Sequence, residues 1–147
     1  MKGRRTYFWM FVIYCAVMAW LLFGREPYTL SQTVANFNPV PMKTVLRFCR
    51  ILAGDFPVEL KRHAVINLVG NIVLFVPLGF FPSLLWRRFR PLWRCILLCG
   101  GIIVCVELAQ FVTRLGSCDV DDLLLNVVGI CMGYGLMRLV HRADCVS

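Results

Sequence analysis

Few residues in this sequence have side chains that could do chemistry, and they are regularly spaced. Asn67 and Asn71 lie four apart, Glu107 and Gln110 three apart, and Asp122 and Asn126 four apart. Arg114, Asp119 and Asp121 fall in the stretch between the last two pairs. Separations of three or four put each pair on one face of a helix. Carboxylates and carboxamides displayed this way can hold the polar head of a ligand, which makes Asn67, Asn71, Glu107, Gln110, Arg114, Asp119, Asp121, Asp122 and Asn126 the candidate binding set. In a catalytic version Glu107 would be the general base and Asp119 and Asp122 its acidic partners, with Asp121 joining them around a hard divalent cation. Hydrogen bonding between neighbouring helices would account equally well for Asn67, Asn71 and Asn126. No nucleophile with an adjacent base and no paired histidines accompany the set, and no cofactor is expected.

The elements that must position these groups are written in the hydropathy. Of 147 residues 59% are hydrophobic and only 16% charged, with mean hydropathy +0.72. A soluble domain of this size cannot bury so large an apolar fraction, so lipid must cover the surplus. Residues 7–23, 64–86, 93–112 and 123–140 approach the roughly 20 residues needed to cross a hydrocarbon core of about 30 Å. The expected fold is therefore all-α: one membrane domain over residues 1–147, a bundle of four transmembrane helices.

Lys2, Arg4 and Arg5 precede the first span, Arg87, Arg88, Arg90 and Arg94 separate the second from the third, and Arg138 and Arg142 close the fourth. All three clusters fall on one side, which the bias of basic residues assigns to the cytoplasm together with both termini. The connections 25–63 and 113–122 are then external. Arg25, Lys43, Arg47, Arg50, Lys61 and Arg62 bend this rule, diluted in part by Glu26, Asp55 and Glu59. In this topology the polar residues of three spans lie within about two turns of the external end, Asn71 slightly deeper, and Arg114, seven residues beyond Glu107, is its nearest candidate partner.

Within the first connection Lys43, Arg47 and Arg50 recur at helical spacing, with Val45, Phe48, Cys49 and Leu52 on the opposing side. That is the pattern of a short amphipathic helix lying in the interface between spans one and two. Pro39 and Pro41 precede it; Gly54 and Pro57 end it. Pro77, Gly79 and Pro82 suggest a kink in the second span, and Gly129 and Gly133 permit close helix approach on the fourth. The apolar run after Met1 is long and bulky and lacks a small-residue cleavage site, so it is expected to be retained as a span. The net charge of +8 lies beside apolar runs and forms no basic face of a polar domain, which argues against a nucleic-acid partner. Eight cysteines lack any CxxC pair, and Cys15, Cys95, Cys99, Cys105 and Cys131 sit within apolar runs, where they read as small apolar residues.

The run Asn67-Leu-Val-Gly-Asn71-Ile-Val-Leu-Phe75-Val-Pro77-Leu-Gly79-Phe80 resembles the signature of VanZ-like membrane proteins. Glu107-Leu-Ala-Gln110 is similar to the family's E-x-x-Q, and Asp119-Val-Asp121-Asp122-Leu-Leu-Leu-Asn126-Val-Val-Gly129 to its D-x-D-D-x-x-x-N-x-x-G. Asn38-Pro39-Val40-Pro41 fits the proline-containing segment before the loop helix, and Cys118 departs from the family, where an aromatic is common. The resemblance implies a multi-pass protein of the bacterial cell membrane and, for the founding member, a part in resistance to the lipoglycopeptide teicoplanin. The leading expectation is a non-enzymatic membrane factor that reduces susceptibility to teicoplanin-like antibiotics. Its outer-leaflet polar site would meet membrane lipid and bind either the antibiotic or a lipid-linked cell-wall precursor. The alternatives are an intramembrane enzyme acting on a lipid phosphate or head group through Glu107 and the aspartates, and a lipid head-group carrier, for which four spans offer little room without oligomerisation. The oligomeric state is left open.

Overall fold

The computed structural model describes residues 2–24, 28–29, 38–115 and 119–144, the side chains of 2, 3 and 141–144 excepted. Arg25, Glu26, Gly116, Cys118 and Cys145 lie outside the described residues, as do the side chains of Lys2, His141 and Arg142. Among the described residues five helices form: α1 Lys2–Phe23, α2 Lys43–Ala53, α3 Val58–Leu85, α4 Leu92–Thr113 and α5 Val120–Asp144. A single 3-10 turn, Arg87–Phe89, joins α3 to α4. All except α2 are long and apolar enough to cross a membrane, so the chain is a multi-pass, all-helical membrane protein.

Each spanning helix extends beyond the apolar run that announces it. The longest is α3, whose 28 residues reach roughly 42 Å at 1.5 Å per residue. Hydropathy stops counting at Lys61, Arg62 and His63, but these residues are compatible with helix, and the extra turns give α2 a wall to pack on. Phe48 and Ile51 of α2 are buried there against Ala64, with Leu52 and Leu68 beside them. The docked stripe is rotated slightly from the one read in the sequence: Ile51 is at its centre, while Cys49 lies at its edge and is exposed.

The bundle is built around α3 and α5, which run parallel. A methyl group added to Gly129 would strike the carbonyl of Ile72, and one added to Gly133 would strike that of Val76. The two backbones therefore approach as closely as side-chain-free positions allow, and van der Waals contact replaces the hydrophobic drive that lipid removes. Cys95, Cys99 and Ile103 of α4 join Phe75, Leu78, Ile130 and Met18 in the core. Helix α1 is peripheral. It is fastened by the Tyr14 hydroxyl donating to the Leu74 carbonyl at 2.8 Å, by Arg4 donating to the Leu85 carbonyl at 2.9 Å, and by Phe11 packing on Phe81 and Trp86.

The prolines do not break α3, which runs through both Pro77 and Pro82. Pro82 has no N–H for the Leu78 carbonyl one turn earlier. The Cys99 thiol of α4 donates to that carbonyl instead, at 3.3 Å. Cys95 likewise donates to Gly79, at 3.6 Å. These cysteines are hydrogen-bond donors as well as small apolar fillers, a role their position in an apolar run does not reveal.

Candidate functional site

The start of α5 carries three carboxylates, each with a different task. Asp119 precedes the helix, and its Oδ1 accepts the Asp121 N–H at 2.9 Å, the geometry of a helix N-cap. The same oxygen accepts from Asn38 Nδ2 at 3.0 Å, and its Oδ2 accepts from Thr44 Oγ1 at 2.7 Å. The Asn38 carbonyl in turn accepts the Val120 N–H at 3.1 Å, closing a backbone bridge between the segment before α2 and the segment before α5.

Asp121 faces the other way, fully buried against the N-terminus of α2. Its carboxylate accepts the backbone N–H groups of Met42, of Thr44 at 2.6 Å and of Val45 at 3.1 Å. The first N–H groups of any helix lack intrahelical partners, and the positive end of the helix dipole favours an anion. Met42, in the left-handed conformation at φ 67°, offers no side-chain cap of its own. Asp121 supplies the cap from the far side of the sequence.

Asp122 points into the bundle, where its Oδ1 accepts from Asn71 Nδ2 of α3 at 2.7 Å. Glu107, half-buried on α4, is near enough for the charges of Asp122 and Asp119 to act on it. The structure thus pairs Asn71, at mid-length of α3, with Asp122 in the first turn of α5, and sets Glu107 of α4 within range of the Asp122 and Asp119 charges. Asn126, one turn below Asp122, is 2% exposed, and its Oδ1 has no hydrogen-bond partner; nor has that of Asn67, one turn above Asn71. Buried amide oxygens are normally satisfied, so these two acceptors are open to a donor.

Two members of the sequence-derived set serve elsewhere. Gln110 is turned to α1, donating from Nε2 to the Leu22 carbonyl at 2.8 Å. Arg114 leaves the helix in the left-handed conformation, φ 60°, and its exposed side chain makes no ion pair with Glu107; its carbonyl accepts the Tyr28 N–H at 2.7 Å. The seven-residue spacing that aligns Glu107 and Arg114 holds only while the helix continues, and α4 ends at Thr113. Among the described residues no group of three His, Cys, Asp or Glu side chains is arranged to hold a metal ion. The three aspartates are neighbours in sequence, but Asp121 is turned onto the backbone of α2, away from Asp122.

Asn38 and Thr44 complete the arrangement and were not among the sequence-derived site residues. Asn38 at least stands in a recognisable proline-containing segment. Thr44 has no local signal, since its partner Asp119 is 75 residues away.

Residues 11–141 match the family described as VanZ/LLP1. Protein VanZ of Enterococcus faecium is 24% identical over 78 residues, which cover 52% of this chain and 47% of that protein. The chain spans about half the length of this relative. No solved structure matches significantly. With the match extending over all four spanning helices and the polar end they build, the chain belongs to the VanZ/LLP1 family.

Proposed function

We propose that this protein is a cell-membrane factor that reduces susceptibility to teicoplanin-like lipoglycopeptides, acting through the polar end of its bundle. The observation that carries this reading is the Asn71–Asp122 hydrogen bond between two spans, with Glu107 of a third span within range of the Asp122 charge and a loop helix fastened by Asp119 and Asp121. Polar groups inside a bilayer are disfavoured unless they have a partner or a task. Helix association alone would not require a carboxylate on each of two neighbouring spans.

In this reading the polar end faces outward, both termini are cytoplasmic, and the arginines at positions 4, 5, 87, 88, 94 and 138 lie on the inner side. The site then lies at the leaflet where lipoglycopeptides and lipid-linked cell-wall precursors are found. The open oxygens of Asn67 and Asn126 and the carboxylate of Glu107 would accept hydrogen bonds from a hydroxyl, amide or amine of the bound molecule. The test is the teicoplanin susceptibility of a sensitive bacterial host with and without the protein in its membrane. A raised inhibitory concentration is expected, and an unchanged one would refute the proposal.

A further inference from the structure

The end of the bundle opposite the polar site has two cavities rimmed by arginine. One, of about 340 Å³, is lined by Arg4, Arg5, Phe8, Leu85 and Trp86, where α1 begins and α3 ends. The other, of about 670 Å³, is lined by Arg88, Phe89, Trp93, Arg94, Leu97 and Leu98, along the 3-10 turn and the start of α4. Both are amphipathic in the same sense. Phe8 lies one turn deeper than Arg4, and Leu97 and Leu98 about one turn deeper than Arg94, so cationic groups stand at the rim and apolar side chains lie towards the bundle centre.

Among the described residues, none of Arg4, Arg5, Arg88 and Arg94 has a carboxylate at ion-pair distance, the recorded ion pair being Arg62 with Glu59 near the other end of α3. Arg94 is held by stacking, its guanidinium 5.0 Å from the centroid of the Trp93 ring. Arg90, within the stretch of sequence that lines the second cavity, has a buried Nε–H with no acceptor. A cationic rim over apolar walls complements a molecule with a phosphate at one end and hydrocarbon at the other. Arginine suits that phosphate better than lysine because its planar fork presents paired donors.

We propose that these cavities are seats for anionic phospholipid, with the phosphate among the arginines and acyl chains along Phe8 and Leu85 in one seat and along Trp93 and Leu97 in the other. Basic pockets at the ends of spanning helices recognise lipid head groups in this way.

The experiment is native mass spectrometry of the purified full chain in detergent, with phosphatidylglycerol and phosphatidylcholine in equimolar competition. Phosphatidylglycerol is expected to be retained at least about ten-fold in preference, with no more than two molecules per chain. Arg5→Gln and Arg88→Gln, both at exposed positions, should each weaken retention by about five-fold, the worth of one cationic contact at a lipid surface. Glycerol phosphate at millimolar concentration should not displace the lipid. Equal retention of the two lipids by the parent chain would overturn the proposal without recourse to any variant. So would unchanged retention by both arginine variants, and displacement by glycerol phosphate would show a plain phosphate site in its place.

Discussion

The carboxylate of Asp121, in the first turn of α5, caps the N-terminus of α2 by accepting the N–H groups of Met42, Thr44 and Val45. This joins the loop helix to the fourth span, while the apolar face of α2 rests on the second at Ala64. The short helix is thereby held at both its end and its side, directly beside the Asn71–Asp122 pair.

Replacing Asp121 by Ala strands these N–H groups where a charged acceptor had satisfied them, a loss on the order of 3 kcal/mol. The expected outcome is a lower thermal unfolding temperature in detergent and faster tryptic cleavage at Lys43, Arg47 and Arg50. Asp121→Asn, which keeps one acceptor oxygen, should fall between the parent and Asp121→Ala.

How much of this was legible beforehand depends on the range over which each interaction acts. The four spans are local in sequence, because twenty consecutive residues carry their own hydropathy, and the pairs Asn67–Asn71 and Asp122–Asn126 follow from helical periodicity alone. The partner of Asp121 does not, since it lies 79, 77 and 76 residues away and consists of backbone, which leaves no trace in side-chain identity. Cys99 was hidden for a similar reason: its acceptor is a carbonyl freed by a proline on another helix. Arg114 misled because one left-handed residue ends the register that its spacing assumed.

The contact between Asn71 and Asp122 can be tested by exchange. Asn71→Asp sets two carboxylates against each other with no donor between them, Asp122→Asn keeps a hydrogen bond but loses the charged acceptor, and the double exchange restores one amide and one carboxylate. A coupling energy of about 1–2 kcal/mol is expected in the thermal double-mutant cycle. Strictly additive effects would mean that the two side chains do not interact.

Close approach of α3 and α5 makes Gly133 intolerant of any side chain. Gly133→Ala should destabilise by about 1–3 kcal/mol as the new methyl meets the Val76 carbonyl. Gly135→Ala on the same helix, with nothing within 4 Å of an added methyl, should be tolerated. Thermal unfolding of the two variants side by side reads the difference.

The Cys99 thiol can be separated from its bulk. Cys99→Ala removes the donor to the Leu78 carbonyl and should lower stability by about 1 kcal/mol or more, whereas Cys99→Ser keeps a donor and should stay closer to the parent. If Cys99→Ser were the worse of the two, apolar packing and not hydrogen bonding would be the thiol's contribution.

The central claim, that the carboxylates gathered beneath the loop helix carry the function, is tested most directly by teicoplanin inhibitory concentrations for cells producing Glu107→Gln and Asp122→Asn at membrane levels matched to the parent. Both variants remove a charge and keep the side chain's size, and both are expected to lose most of the protection the parent confers. Full protection by both variants at those levels would contradict the account.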